Sequence, residues 1–272
     1  MKQKAYSKIN LSLNVKYKRT DGFHELESVM LPLELADELE IDIAEEDSYQ
    51  CDQDLPFTRQ HTVYKAISLL KEKYHITDHH KIILKKTIPW QAGLGGGSAD
   101  GAAAIRIFER LYDLRLTKEE IADLCHRIGS DVIFTYYHTP AYVKGTGEDL
   151  SFFSLKDDLY ILLAKPQKGI STKEAYGNLD LGRCDHPDCL KIKDLLEKGE
   201  DISAYLGNSL EEPSLRLCKE IRDLKDQISL KGFTSLMSGS GSCVFVLGAK
   251  EELLSLKEEL SADFLTVTRV LR

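Results

Sequence analysis

The chain has 272 residues, of which 42% are hydrophobic and 29% are charged, proportions typical of a folded globular protein. Acidic residues outnumber basic residues by 44 to 36, and the formal net charge of -8 argues against sequence-independent binding to nucleic acid or to an anionic membrane. No stretch has the length and apolarity of a membrane span, and no signal segment precedes the first predicted strand, so we expect a cytoplasmic protein. A chain of this length can hold one large domain or two smaller ones, and we expect two.

The six cysteines are expected to be reduced thiols, because the sequence lacks an export signal. Cys184, His186 and Cys189 lie close together in sequence and carry groups that can bind zinc. A single C-x-x-x-x-C segment has no second pair at a zinc-site spacing, so we favour a polar loop without a metal.

The first part of the chain is predicted to be rich in strands. Residues 5–15 alternate between apolar and polar side chains, which is typical of a half-buried strand with its polar side chains facing away from the core. After a turn at residues 19–22, two further strands are predicted at 23–33 and 38–44. Helical spacing over 61–75 and a short strand over 81–86 follow.

A glycine-rich segment at residues 89–100 leads into a predicted helix that ends near Tyr112. We expect Ser98 to cap this helix and Arg106 to face water. Thr117 and Glu120 form the pattern of a capping box, which predicts a second helix ending at Gly129. Asp131 lies just beyond that end.

The pattern of elements restarts after residue 150, so we expect one domain at 1–150 and a second, α+β domain at 151–272. A strand at 142–144 and a turn at 145–147 close the first domain. In the second domain we predict strands at 159–164, 233–237 and 244–247, and helical segments at 172–176, 201–206, 214–228 and 250–260.

The glycine-rich segment is a candidate phosphate-binding loop. Glycines before a helix allow successive backbone amides to point at one anion, and the helix dipole adds to that attraction. A simple turn needs only one or two glycines, whereas this segment has four between residues 93 and 97. The sequence contains no G-x-x-x-x-G-K-[S/T] motif, and it lacks a complete dinucleotide-binding G-x-G-x-x-G pattern.

The glycine-rich segment resembles the phosphate-binding motif of the galactokinase, homoserine kinase, mevalonate kinase and phosphomevalonate kinase (GHMP) superfamily. Further segments that resemble this superfamily are spread over the chain: 8–11, 19–24, 129–132, 145–148, 171–172 and 238–242. The resemblance is greatest to the branch that phosphorylates the 2-hydroxyl of a cytidine diphosphate-linked polyol, 4-diphosphocytidyl-2-C-methyl-D-erythritol, in non-mevalonate isoprenoid precursor synthesis.

The resemblance implies an α+β, two-lobed GHMP kinase fold, with an N-terminal ribosomal-protein-S5-like lobe that binds ATP, a C-terminal ferredoxin-like α/β lobe, and an active site in the cleft. It implies ATP as the phosphoryl donor, with Mg²⁺. The implied catalytic residues are Asp131, which takes the proton of the hydroxyl, and Lys8, which contacts the reacting groups; both roles agree with the chemistry of these side chains.

The resemblance also implies which residues bind the two substrates. The ATP-binding residues would be Pro89, Trp90, Gln91, Ala92, Gly93, Leu94, Gly95, Gly96, Gly97, Ser98 and Ala99. The acceptor would contact Asn10, Phe23, His24, Thr172 and Tyr176, with the cytosine held between aromatic rings.

The sequence departs from the superfamily pattern at His61, where an asparagine is usual, and at Ile133, where a proline is usual. Three hypotheses therefore stay open: the cytidine-dependent kinase, a superfamily kinase acting on another small alcohol such as homoserine or a mevalonate derivative, and a relative that binds a nucleotide or a protein partner without catalysis. The presence of both Lys8 and Asp131 argues against the last.

Overall fold

A computed structural model describes all 272 residues of the chain, which form a mixed α and β fold. The strands are β1 (Lys2–Lys18), β2 (His24–Ala44), β3 (Ser48–Cys51), β4 (His79–Lys85), β5 (Ala141–Gly145), β6 (Asp149–Phe152), β7 (Tyr160–Lys165), β8 (Leu236–Met237), β9 (Val244–Gly248) and β10 (Phe264–Arg269). The helices are α1 (Thr62–Tyr74), α2 (Gly96–Leu111), α3 (Lys118–Ile128), α4 (Val132–Tyr137), α5 (Thr172–Gly177), α6 (Cys189–Lys198), α7 (Glu211–Leu217), α8 (Lys219–Leu230) and α9 (Lys250–Glu259). None of these helices combines the length and the apolarity needed to cross a lipid bilayer.

The structure divides into two compact units, each built from several chain segments. The first unit contains Met1–Ser7, Leu35–Ile88 and Gly95–His138, and the second contains Lys8–Glu34, Pro89–Leu94 and Thr139–Arg272. The long strands β1 and β2 each contribute residues to both units, so no single cut in the sequence separates the two. The domain division at residue 150 stays a prediction.

In the first unit, a small sheet supports four helices. The C-terminal half of β2 pairs antiparallel with β4, and β3 pairs parallel with β4. Helix α2 lies at the centre of the core: residues 99–105, Ile107 and Phe108 are all buried. Its alanines and glycines allow close packing, and Val63, Ala66 and Leu70 of α1 belong to the same hydrophobic cluster.

In the second unit, the N-terminal half of β2 pairs with β5, and β5 pairs with β6. A separate antiparallel sheet has the strand order β10-β7-β9-β8. Its core includes Leu162, Val244 and Val246 from the strands and Ile221 and Leu253 from the helices. Serine and glycine residues 238–242 connect β8 to β9.

Several predicted elements are confirmed, and others need correction. The capping box of Thr117 and Glu120 is present, and α3 ends at Gly129 as expected. The two strands predicted at 23–33 and 38–44 form one continuous strand, β2. The segment predicted as one helix at 214–228 is α7 and α8, because Cys218 has an extended backbone between them. Residues 201–206 contain only the single 3-10 turn Ser203–Tyr205.

The start of α2 differs from the prediction. The helix begins at Gly96, and Gly95, which has a left-handed backbone with φ of 69°, is its N-cap without a side-chain hydrogen bond. The expected cap by Ser98 is therefore wrong, because Ser98 already lies in the first turn. Arg106 does not face water either: it is half-buried, and its guanidinium donates to the carbonyls of Thr135 and Tyr136.

Candidate active site

The glycine-rich segment packs against the serine-glycine loop at 238–242 through its residues in the second unit. The amides of Ser242 and Cys243 donate to the carbonyls of Gln91 and Ala92, at 3.1 and 3.2 Å. Gly93 has φ of 72°, and a Cβ on it would lie 2.0 Å from the carbonyl oxygen of Ser238. Only glycine allows both the left-handed backbone and this close approach to Ser238. The glycine at this position of the motif is therefore explained by the contact between the two loops as well as by its backbone conformation.

Lys8 and Asn10 lie beside these loops. The Lys8 ammonium donates to Asn10 Oδ1 at 2.7 Å, and the Asn10 side-chain amide donates to Ser28 Oγ at 2.8 Å. Lys8 is 3% exposed and Asn10 is 6% exposed. The polar face of β1, which we expected to lie away from the core, is thus buried and hydrogen-bonded in this region. An ammonium held in such a place is suited to stabilising negative charge on a bound group.

The serine-glycine loop comes close to Lys8. A Cβ on Gly239 would lie 3.0 Å from Asn10 Oδ1 and 3.5 Å from Lys8 Nζ. Asn208 supports the loop from behind, because its side-chain amide donates to the carbonyls of Met237 and Gly239 at 2.7 and 2.8 Å. Asn208 could not be predicted from the sequence, because a single asparagine between two predicted helical segments carries no local signal.

The first unit contains the rest of the glycine-rich segment and the N-terminus of α2. Thr62 Oγ1 donates to the carbonyl of Gly97, and the Thr62 side chain also packs against Gly101. The first amides of α2 have no partner within the helix, and together with the helix dipole they make this end suitable for a phosphate group. Phosphate binding by residues 95–99 stays a prediction.

His61, where the sequence departs from the superfamily pattern, is the N-cap of α1. Its Nδ1 accepts a hydrogen bond from the amide of Val63 at 3.2 Å, which is what an asparagine side chain does at an N-cap. Its ring lies in an aromatic cluster with Tyr49 and Phe57. Burial, with a smaller contribution from the Lys86 ammonium, lowers the pKa of His61 to about 4, so the imidazole is neutral at pH 7.

A buried charge cluster lies beneath the first turn of α2. The Lys86 ammonium binds the carboxylates of Asp37 and Asp100, the latter at 2.6 Å, and Asp37 also accepts the amide of Ile88 at 2.8 Å. Burial raises the pKa of Asp100 to about 7, against the opposing effect of Lys86. The cluster joins β2, the end of β4 and α2, so it stabilises the glycine-rich segment in one position. The cluster carries no sequence motif, because its three residues are far apart in the chain.

Asp131, the predicted proton acceptor, lies at the N-cap of α4. Its side chain makes no capping hydrogen bond, whereas its backbone carbonyl accepts from the amide and hydroxyl of Thr135, both at 3.1 Å. The Asp131 carboxylate therefore does not cap α4, and its role as proton acceptor stays a prediction.

The predicted acceptor-binding residues form two contacts in the second unit. The rings of His24 and Tyr176 lie 4.9 Å apart between centroids and are tilted by 31°. Thr172 and Ser240 share a hydrogen bond at 3.1 Å, which joins the start of α5 to the serine-glycine loop. Phe23, next to His24, is 61% exposed. Burial and the nearby Lys18 lower the pKa of His24.

The Cys184 to Cys189 segment has no arrangement typical of zinc. Cys184 Sγ lies 3.6 Å from His186 Nε2, whereas Cys189 is buried and its thiol donates to the carbonyl of Glu27 at 3.4 Å. Asn14 holds the segment through bonds to His186 and to the carbonyl of Pro187. Nowhere in the chain do three or more His, Cys, Asp or Glu side chains group in a way that could hold a metal ion.

The sequence matches the GHMP kinases N terminal domain over residues 61–139 and the GHMP kinases C terminal domain over residues 188–264. It is 40% identical over 250 residues to 4-diphosphocytidyl-2-C-methyl-D-erythritol kinase from Bacillus cereus, which covers 90% of this chain and 86% of the relative. The corresponding kinase from Bacillus cytotoxicus is 39% identical over the same share of both chains. The chain belongs to the GHMP kinase family. As a member of this family it is a kinase that uses ATP as phosphoryl donor and a small molecule as acceptor.

Solved structures agree with the family assignment. A crystal structure of 4-(cytidine 5'-diphospho)-2C-methyl-D-erythritol kinase matches this GHMP kinase with a TM-score of 0.84 and 28% identity, over 99% of both chains. Mevalonate kinase from L. major, solved in complex with R-mevalonate, matches with a TM-score of 0.73 and 17% identity, over 99% of this chain and 95% of that one. At 17% identity, the similarity to mevalonate kinase shows only that the two proteins share a fold.

Proposed function

We propose that this kinase transfers the γ-phosphoryl group of ATP to the 2-hydroxyl of 4-diphosphocytidyl-2-C-methyl-D-erythritol, a step of isoprenoid (terpenoid) precursor biosynthesis. The observation that carries the proposal is the 40% identity over 90% of the chain to relatives named for this activity. The buried Lys8, the glycine-rich segment and the His24–Tyr176 ring pair supply the chemistry that such a reaction needs.

In the proposed mechanism, the chain contributes positioning and charge. The backbone amides of residues 93–98 bind the phosphates of ATP. The carboxylate of Asp131 orients the acceptor hydroxyl and takes its proton. The Lys8 ammonium stabilises the negative charge that spreads over the transferring phosphoryl oxygens, and Asn10 Oδ1 keeps that ammonium in place.

The cytosine of the acceptor is proposed to stack on the His24–Tyr176 pair. Stacking a base between two rings requires roughly 7 Å between ring planes, two contact distances of about 3.5 Å each. The ring centroids are 4.9 Å apart, so the base either stacks on an outer face of the pair or the two rings separate as it enters. Phe23 and Thr172 are the proposed further contacts to the acceptor.

We further propose that ATP is used as its Mg²⁺ complex. Mg²⁺ in kinases is held mostly by phosphate oxygens and water, with only one or two protein carboxylates, and this agrees with a chain that has no metal-binding cluster of its own. The reaction is proposed to take place in the cytoplasm, which cell fractionation would test.

A kinase of the same fold acting on homoserine or mevalonate is the alternative. The solved homoserine kinase and mevalonate kinase match at only 17% identity, so their likeness favours neither acceptor. The test is ADP release by the purified protein with ATP and Mg²⁺, with each of the three acceptors supplied separately. The proposal expects release with the cytidine-linked acceptor alone. Release with mevalonate or homoserine only would establish the alternative, and no acceptor-dependent release would reject kinase activity on all three.

Asp131→Asn is predicted to lower kcat by roughly a hundredfold or more while the KM for ATP changes little. The substitution keeps the size of the side chain but removes its ability to take a proton, a role worth on the order of 10²–10⁴-fold. Steady-state kinetics with varied ATP would measure both constants. A large rise in the KM for ATP at unchanged kcat would show that Asp131 binds the nucleotide instead.

A further inference from the structure

Arg106 is a cation inside the fold that the proposed mechanism does not use. It lies on α2, ten residues after the helix begins, and its Nη1 donates to the carbonyls of Thr135 and Tyr136 at 2.9 and 2.6 Å. The guanidinium also lies 5.8 Å from the centre of the Tyr136 ring. Both carbonyls belong to the last turn of α4, so a single side chain joins these two helices.

Helix α4 needs such an anchor. It has six residues, and a helix of this length is not stable by itself in water. The side chain of its N-cap residue, Asp131, makes no capping hydrogen bond to the first turn of the helix. A cation at the C-terminal carbonyls of a helix satisfies unpaired acceptors and interacts favourably with the helix dipole. Arg106 therefore stabilises α4 at the end opposite to Asp131.

Arg106 is connected to Asp131 by hydrogen bonds through Thr135. Arg106 donates to the carbonyl of Thr135, and the amide and hydroxyl of Thr135 both donate to the carbonyl of Asp131 at 3.1 Å. A second connection runs parallel to the first: the Tyr136 hydroxyl donates to Glu109, one turn further along α2, at 2.8 Å. The peptide group of Asp131 is thus tied to α2, whose N-terminus carries the proposed phosphate-binding amides.

We propose that Arg106 is a positioning residue, which holds Asp131 in register with the N-terminal amides of α2. The inference rests on the proposed role of Asp131 as proton acceptor. A carboxylate that must meet a hydroxyl next to a bound phosphate depends on an accurate position, and an error of about 1 Å can cost a hundredfold in rate. Arg106 supplies that accuracy without touching either substrate.

The test is a kinetic comparison of Arg106→Met, Arg106→Lys and Arg110→Met with the unchanged enzyme. Arg106→Met is expected to lower kcat by about ten- to a hundredfold, with the KM for ATP changed less than about twofold, because the loop amides are left intact. Arg106→Lys, which keeps a cation near the same carbonyls, is expected to recover part of the loss. Arg110 is the matched control: it lies one turn further on α2, donates to the Arg106 carbonyl and is exposed at its head group, so its substitution should leave kcat unchanged.

A double variant separates positioning from general loss of structure. In the Asp131→Asn background, Arg106→Met should cause little further loss of kcat, because both changes disable the same proton transfer. Should Arg106→Met fail to fold, Thr135→Val removes one of the two bonds to the Asp131 carbonyl in a nearly equal volume and should lower kcat by about two- to tenfold with an unchanged KM for ATP.

Two outcomes would overturn the inference: unchanged kcat in Arg106→Met and Thr135→Val, or losses that multiply fully with that of Asp131→Asn. A fully active Asp131→Asn enzyme would instead reject the proposed role of Asp131. The two failures are distinguishable because the second appears in the single variant, without any change at Arg106.

Discussion

Gly93 combines two constraints at one position. Its backbone is left-handed, and its α-carbon faces the carbonyl of Ser238 with no room for a side chain. The neighbouring contacts are also backbone contacts, from Ser242 to Gln91 and from Cys243 to Ala92. Neither loop can therefore give way by rotating a side chain, and both loops would have to move to accept a larger residue.

Gly93→Ala is predicted to lower the free energy of unfolding by about 2 kcal/mol or more, from backbone strain and a clash with another backbone. The matched control is Gly177→Ala at the end of α5, where a Cβ meets no atom within 4 Å; helix propensity predicts a neutral effect or a gain of up to about 1 kcal/mol there. Urea unfolding of the three proteins gives the comparison. Equal stability of the Gly93 variant and the unchanged enzyme would contradict the packing described for the two loops.

At the scale of elements, the start of α1 shows that a histidine can cap a helix where the superfamily usually has an asparagine. His61 caps the helix through Nδ1, so the departure from the superfamily's asparagine preserves the hydrogen bond to Val63. His61→Ala is predicted to cost about 1 kcal/mol of stability for the lost cap, with a further loss from the Tyr49 and Phe57 contacts. His61→Asn restores the cap alone and is the control. Thermal unfolding of all three would show whether the cap contributes.

The same histidine predicts a pH dependence. The folded chain keeps His61 neutral down to about pH 4, whereas the unfolded chain protonates it near its ordinary pKa of 6.5. The unfolded state therefore binds more protons between these values, and the contribution of His61 to stability falls as the pH is lowered through this window. Relative to His61→Asn, the unchanged enzyme should lose stability between pH 6.5 and 4. A constant difference in denaturant midpoint across this range would contradict the assigned neutral state.

Elements with strong local signals could be predicted, and elements that depend on tertiary contacts could not. The capping box of Thr117 and Glu120 and the periodicity of α1 are local, and both appear as expected. Helix α4 was missed because its sequence, VIFTYY, is β-branched and aromatic and favours a strand. Two of its carbonyls accept hydrogen bonds from Arg106, a residue whose place in an amphipathic pattern predicted exposure.

At the scale of the whole molecule, the motifs could be predicted one by one, but most of the contacts that support them could not. The glycine-rich segment, Lys8 and Asp131 each carry a motif. The support comes from residues distant in sequence and without a motif, such as Asp37 and Asn208. Buried polar groups of this kind are recognised only when their partners are known, because each alone resembles an ordinary surface residue.

The fold of this enzyme is shared with kinases of different acceptors, so the fold by itself does not determine the acceptor. Selection of the acceptor must lie in a few side chains, and His24 and Tyr176 are the proposed ones for a pyrimidine. The proposed phosphate-binding loop and the proposed proton acceptor are suited to a reaction on any alcohol.

The most direct test of the account is the position of the phosphate in the product. The purified enzyme would be incubated with ATP, Mg²⁺ and 4-diphosphocytidyl-2-C-methyl-D-erythritol, and the product examined by phosphorus NMR while ADP is counted. One new phosphomonoester on the 2-hydroxyl is expected for each ADP formed. A phosphate on another hydroxyl, or ADP formed without a new ester, would contradict it.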